Sequence, residues 1–234
     1  MDAANLIRPV SLPITYGKRM SWYKARRYLH FDHPLGLKKA TNLASDPACV
    51  TQHAFLPFLR VELKARQYKK DDTGKRKMIT KKRAVMYAAH ADAQIFAYYA
   101  DLLQHAYERR LEELEIADAP IAYRRLEGRC NIHFANEAFD TISRVLNGVA
   151  IAADVSKFFE KLNHRKLKQS WARILGLNSL PSDHFAVWKA ITRYAYVELD
   201  KLHEALGISK RSLRSKKGRY CTASEFRSKV RNGG

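Results

Sequence analysis

The run Val149-Ala150-Ile151-Ala152-Ala153-Asp154-Val155-Ser156-Lys157-Phe158-Phe159 sets an apolar stretch of strand length directly against an acid. Such a run, ended abruptly by Asp154, predicts a buried strand that delivers a carboxylate to a sheet edge. A lone buried carboxylate is costly unless a cation or hydrogen bonds compensate, so an acid in this place faces a metal or a cationic substrate. Asp is also a favoured residue just before a helix, and spacing alone leaves the two readings level.

Upstream, charge is concentrated rather than spread. Arg60, Lys64, Arg66, Lys69, Lys70, Lys75, Arg76, Lys77, Lys81, Lys82 and Arg83 are opposed only by Glu62, Asp71 and Asp72. The flanks, 58–68 and 77–87, carry Val61, Leu63, Ile79, Val85 and Tyr87, and Asp72-Thr73-Gly74 supplies a turn, which predicts a basic β-hairpin. A second cluster, Lys210, Arg211, Arg214, Lys216, Lys217 and Arg219, has few apolar neighbours and predicts an exposed loop that meets phosphates electrostatically. Arg124 and Arg129 flank a turn at Gly128, where glycine tolerates positive φ and guanidinium groups can be aimed at phosphate.

Between these clusters the apolar period is helical. Ile95, Phe96, Tyr99, Leu102, Leu103, Ala106 and Leu111 mark a helix over 91–114. Asn131 is placed to cap the next, whose face is Phe134, Ala138, Phe139, Ile142, Val145 and Leu146, ending at Asn147-Gly148. Leu167, Trp171, Ile174 and Leu175 form a third stripe that stops at Gly176, and Pro181-Ser182-Asp183 opens a fourth. All four stripes are expected to be core. His90 and His133 read as packing or capping residues, His164 as a helix start. Residues 1–50 read as an irregular start whose basic-aromatic mixture, Tyr16, Trp22, Tyr23, Arg26, Arg27, Tyr28 and His30, packs to anchor the terminus in preference to stacking on RNA. The expected class is α+β, with helices packed on a small sheet.

Lys plus Arg number 43 against 23 acids, a formal charge of +20 that attracts polyanions, nucleic acid first and acidic membrane second. No apolar stretch is long enough to span a bilayer and no signal-like core opens the chain, which makes the cytoplasm the expected compartment. Cys49, Cys130 and Cys221 are odd in number and far apart, the pattern of reduced thiols rather than of a disulfide framework or zinc site.

The stretch from Ala153 to His164, with an aromatic five residues after Asp154, closely resembles the first palm motif of bacterial reverse transcriptases. The segment 83–95 is similar to the fingers segment before the family's first conserved helix. Ala122-Tyr123-Arg124-Arg125-Leu126-Glu127-Gly128-Arg129 looks like the turn before the second, and 219–227 resembles the stretch that precedes a Gln-Gly motif. The likeness covers residue 57 onward in the family's order and is nearest to phage-defence enzymes. It implies an RNA-directed DNA polymerase of fingers and palm architecture. Asp154 would bind catalytic Mg2+, and Phe159 would reject the ribose 2′-hydroxyl. Arg83, with Lys75 or Lys77, would clamp the deoxynucleoside triphosphate. Arg124, Arg129, Lys69, Lys70, Arg214, Lys216 and Lys217 would meet nucleic acid. The implied partners are an RNA template, including an RNA encoded beside the protein, and a DNA product; a homo-oligomer or a second polymerase chain stays open. The implied divisions are an N-terminal extension (1–56), fingers (57–148) and the first part of the palm with a helical, basic insertion (149–234).

The second family motif, Tyr-x-Asp-Asp, does not occur; the sole Asp-Asp pair, Asp71-Asp72, lies in the hairpin turn. Two metals about 4 Å apart need both motifs. The expectation is therefore an amino-terminal portion that does not polymerise alone, with a noncatalytic RNA-binding module or one half of a split polymerase as the alternatives.

Overall fold

The computed structural model describes residues 21–231 apart from 125, 127, 157, 159, 160 and 217. Among these the chain is α+β, with nine α-helices and one three-stranded sheet of order β2-β1-β3. Two short helices, α1 (Leu37–Ala44) and α2 (Pro47–Gln52), precede β1 (Phe58–Lys70) and β2 (Arg76–Tyr87). The long α3 (His90–Glu113) is followed by α4 (Asn131–Arg144), α5 (His164–Ile174) and α6 (Ser182–Thr192). Then come β3 (Tyr196–Glu198), α7 (Leu199–Ala205), α8 (Lys210–Ser215) and α9 (Ala223–Glu225), which runs into a π-helical turn, Phe226–Arg231.

The basic hairpin forms as expected, with Leu59 opposite Tyr87 at its root and Lys70 opposite Arg76 at its tip. Its turn is organised by Asp71, whose Oδ1 accepts from the Thr73 amide and hydroxyl and from the Lys75 amide, at 3.0, 2.6 and 3.0 Å. Those bonds, the Thr73 hydroxyl first, hold the Asp71 carboxyl below its ordinary range. The strand β3 pairs parallel to β1 at Phe58–Tyr196, Leu59–Val197 and Arg60–Glu198. An Arg60–Glu198 ion pair at 2.5 Å links the two strands.

The start of the described chain is not irregular throughout. Asp46 caps α2 by accepting from the Ala48 and Cys49 amides, and Pro47 sits in the first turn, where its missing N–H costs nothing. The strap before α1 lies along α3, as the packing reading of Trp22, Tyr28 and His30 expects, while Tyr16 falls outside the described residues. Tyr28 donates to the Ala88 carbonyl at 2.7 Å and stacks on His90 at 4.8 Å. His90 Nε2 donates to the Tyr28 carbonyl at 2.9 Å, and Gln94 donates to the Lys24 carbonyl at 2.8 Å.

The first turn of α3 is where distant segments converge. Its orphan amides, at His90 and Ala91, donate to the two carboxylate oxygens of Asp32, both at 2.8 Å. Further into that turn, the buried Asp92 accepts from His53 Nε2 at 2.6 Å and from the Leu56 amide at 2.9 Å, which fixes the approach to β1. Negative charge at a helix N-terminus is favoured by the macrodipole as well as by these bonds.

One core draws on segments far apart in sequence: Trp22, Ala40, Ala44, Val50, Ile95, Tyr99, Trp171, Val187 and Trp188. Two of its polar groups are partnered, with Tyr99 donating to Asp183 at 2.6 Å and Trp171 to His184 at 3.1 Å. A second core of Phe31, Leu59, Leu202, Tyr220 and Cys221 joins the sheet root to α7 and the carboxyl-terminal turn. There Gly218 has φ +79°, and a Cβ at that position would meet the His33 ring at 2.5 Å, so the close approach of the two segments requires glycine.

Further expectations fail in the segment 131–155. The apolar stripe of α4 is not core: Phe134 is buried, but Phe139 is 71% exposed and Leu146 beyond the helix 89%. The segment 149–155 is not a strand, and Val149 and Ile151 are each 88% exposed. A strand needs a neighbour for its amide and carbonyl groups, and no strand among the described residues lies beside this one. The helix-cap alternative fails too, because Asn163 caps the helix that follows, accepting from the Lys166 amide at 3.0 Å.

His30 lies fully buried between Tyr28, Phe31 and Tyr87, and burial pushes its imidazole down to about 4 against the opposing pull of Asp32 and the Tyr87 carbonyl. Its folded value is below the unfolded one of about 6.5, so the unfolded chain binds the proton first and stability falls as pH drops through this window. Burial lowers His90 and His184 in the same direction. Urea unfolding at a series of pH values is expected to lose up to about 3 kcal/mol from His30 between about pH 6.5 and 4, and His30→Gln is expected to flatten that slope.

Candidate nucleic-acid interface

The hairpin beyond its first residues is exposed on both faces, with every residue of β1 from Glu62 to Lys70 solvent-accessible. Cross-strand partners share a face, so the register sorts the cations. One face carries Arg83 opposite Leu63, Lys81 opposite Ala65, and Lys77 opposite Lys69. The other carries Lys82 opposite Lys64, Thr80 opposite Arg66, Met78 opposite Tyr68, and Arg76 opposite Lys70. Glu62 meets Lys82 at 3.3 Å, an exposed pair of small energetic weight. Lys75 sits in the turn, beyond both faces.

This geometry separates residues that the resemblance groups together. Arg83 and Lys77 do share a face. Six residues at a rise of about 3.4 Å nevertheless set their backbones roughly 20 Å apart, so on a straight hairpin both reach one triphosphate only with their side chains extended toward each other. Lys69 and Lys70, adjacent in sequence, point to opposite faces. The hairpin instead offers two long cationic rows suited to successive phosphates of a polymer.

Arg124 and Arg129 are each engaged by an acid of the chain itself. The Arg124 guanidinium is buried, forks onto both carboxylate oxygens of Glu108, and donates to the Ala117 and Pro120 carbonyls. Its hydrogen bonds hold the Glu108 carboxyl below its ordinary range, and Glu108 in turn raises Arg124. Arg129 pairs with Glu137 and lies 4.6 Å over the Phe134 ring, which closes the first turn of α4. That helix is capped by Cys130 rather than Asn131, with the Cys130 amide donating to His133 Nδ1 at 3.0 Å. Gly128 has φ +73°, as the turn requires.

The carboxyl-terminal cluster is helical where a loop is expected, because Ser209 caps α8 by accepting from the Ser212 amide at 3.1 Å. Lys216 donates to the Tyr220 carbonyl at 2.7 Å, and the Arg219 backbone bridges to that of His30. Lys216 thus has one partner within the fold. Arg214 lies in α8, and Lys217 falls outside the described residues.

Asp154 is exposed in the irregular segment between α4 and α5, and Phe159 lies outside the described residues. Among the described residues no three His, Cys, Asp or Glu side chains gather as a metal would need. A magnesium ion takes near-octahedral oxygen ligands, so Asp154 by itself does not form a magnesium site. Around it in the sequence lies a wide apolar exposure: Ile132 (78%), Phe139, Leu146, Val149, Ile151 and Val155 (60%). These side chains are open to solvent rather than packed into either core.

Tyr68 and Met78, 72% and 50% exposed on the same hairpin face, do not stand out in the composition. Period-two reading of the strands, counted outward from the turn, is the signal that reveals them. Among the described residues no helix is long and apolar enough to cross a membrane. Neither the family models nor the curated proteins compared with the chain give a match.

Replacing Arg124 with alanine is expected to destabilise the fold by roughly 2 kcal/mol, since Glu108 loses its partner, yet to leave nucleic-acid affinity unchanged. Thermal unfolding and filter binding on the same variant check both halves.

Proposed function

We propose that this chain is the fingers and first palm portion of an RNA-directed DNA polymerase of bacterial antiviral defence, acting in the cytoplasm. In this reading its hairpin tracks the phosphates of an RNA template. The observation that carries the proposal is the exposed, almost acid-free cationic hairpin standing on a helical body, in the sequence order that leads to the Asp154 motif. The exposed segment 149–155 supports it: its apolar residues have the spacing and composition of a strand awaiting a sheet.

Within this reading Asp154 supplies one carboxylate toward catalytic Mg2+, and the other ligands come from outside the described residues. Phe159, five residues on, takes the place of the sugar gate. Arg83, near the hairpin root, is the cation that meets the triphosphate, and Lys69, Lys70, Lys75 and Lys77 near the tip meet template phosphates. The chain's own contribution is positioning and charge neutralisation, the main sources of rate in nucleotidyl transfer. A noncatalytic RNA-binding module is the second reading, favoured by the hairpin alone, because phosphate tracking needs no reactive group.

Two experiments test these layers. First, replacing Lys69, Lys70, Lys75 and Lys77 with glutamine is expected to weaken RNA binding and make it less sensitive to salt, because a phosphate that no lysine neutralises keeps its condensed counterions. Unchanged affinity and salt slope would remove the hairpin as interface. Second, the protein purified with its native partners is assayed for incorporation of labelled deoxynucleotides. Asp154→Asn is expected to abolish incorporation with RNA binding intact. Incorporation equal to that of the unsubstituted protein would end the catalytic role of Asp154, and no incorporation by either, with RNA retained, would favour the binding module.

A further inference from the structure

The two faces of the hairpin differ in one respect that charge alone does not capture. On the face that holds Lys64, Lys82, Arg66, Lys70 and Arg76, the row of cations is interrupted by Tyr68, with Met78 directly across from it. Tyr68 is 72% exposed, an unusual state for an aromatic ring flanked by an exposed methionine, and among the described residues no other ring stacks on it. The opposite face has no aromatic side chain between Leu63 and the tip; its corresponding positions are Ala65, Gln67 with Ile79, and Lys69 with Lys77.

Same-face residues along a strand recur about every 7 Å, and directly opposed residues on the paired strand lie about 5 Å apart. Tyr68 therefore has Arg66 on one side and Lys70 on the other, with Arg76 diagonal to it, so cations bracket the ring. A thioether beside an aromatic ring is a favourable contact, and the register sets Met78 directly across from Tyr68. A flat π surface held between cations matches a polymer that alternates planar bases with phosphates. A lipid surface or an acidic protein would use the cations but give the ring no stacking partner. A duplex would present phosphates but keep its bases stacked on one another.

Resting on the hairpin interface proposed above, we infer that the Tyr68 face is a single-stranded nucleic-acid site, in which Tyr68 stacks on an unpaired base while Lys64, Arg66, Lys70 and Arg76 hold the flanking phosphates. Base stacking on an aromatic ring is sequence-tolerant and salt-insensitive, whereas the phosphate contacts are neither base-dependent nor salt-resistant. The face thus distinguishes a strand with bases from the same backbone without them.

The test uses the full chain and two fluorescent probes of equal length, an oligouridylate and an abasic ribose-phosphate strand, read by anisotropy over a range of salt. Tyr68→Ala is expected to weaken oligouridylate binding about tenfold, to leave the abasic strand unaffected and to keep the salt slope. Tyr68→Phe, which retains the ring, is expected to bind as the unsubstituted chain does. Joint replacement of Lys64, Arg66, Lys70 and Arg76 by glutamine is expected to weaken both probes and flatten the slope. Because Tyr68 is exposed, circular dichroism should show each variant folded. If Tyr68→Ala binds both probes normally while the charge variant weakens both, stacking is wrong and the phosphate interface stands. If the unsubstituted chain binds neither probe at low salt, this inference and the interface beneath it fall together. Equal binding to a fully paired duplex and to the oligouridylate would overturn the single-strand preference.

Discussion

The amino-terminal turn of α3 holds the molecule together. Two acids far apart in sequence act there: Asp32 closes the helix end over the His90 and Ala91 amides, and Asp92 grips His53 and the Leu56 amide. The first clamps the 21–35 strap to α3 and the second sets where β1 begins. Because β2 runs into α3 through only Ala88 and Ala89, both strands of the hairpin are fixed at their root by one helical turn. An exposed two-stranded ribbon has little stability of its own, so its position must come from this anchorage and from β3.

From that root the sequence changes its chemistry along the hairpin. Leu59 is fully buried, the next residues are half-covered, and beyond Val61 the ribbon is wet and cationic. Burial therefore positions one end and leaves the charged end open to solvent. The same division explains why Arg60 differs from the cations beyond it: it is engaged by Glu198 and lies 5.3 Å over Tyr196, tying the sheet together.

Most local structure was legible in the sequence, because it follows from periodicity and turn chemistry. The hairpin, α3, α5 and α6 fall where alternation, the helical stripes, Gly176 and Pro181 place them. The short elements were not legible: α1 and α2 sit in a stretch read as irregular although Asp46-Pro47 is a cap signal, and the three residues of β3 are too few to show alternation. The candidate site residues divide along a similar line. Composition found the cationic hairpin but could not tell which arginines fold back on acids, and Arg124 with Glu108 is a contact sixteen residues apart that no local pattern reveals. The apolar runs in 132–158 carry the hydrophobicity of core elements, yet the described residues give them little surface to bury against. Strand propensity in 149–155 without a paired neighbour leaves an irregular, exposed segment.

In the proposed function the hairpin, and not the strap or the carboxyl-terminal helices, is where this basic chain meets nucleic acid. Photocrosslinking of the full chain to a uridine-rich RNA carrying 4-thiouridine, followed by mass spectrometry of the adducts, tests this most directly. Crosslinked peptides are expected from β1 and β2, with Tyr68 among the modified residues. Crosslinks confined to the 21–56 region or to 199–231, with the hairpin peptides unmodified, would contradict it.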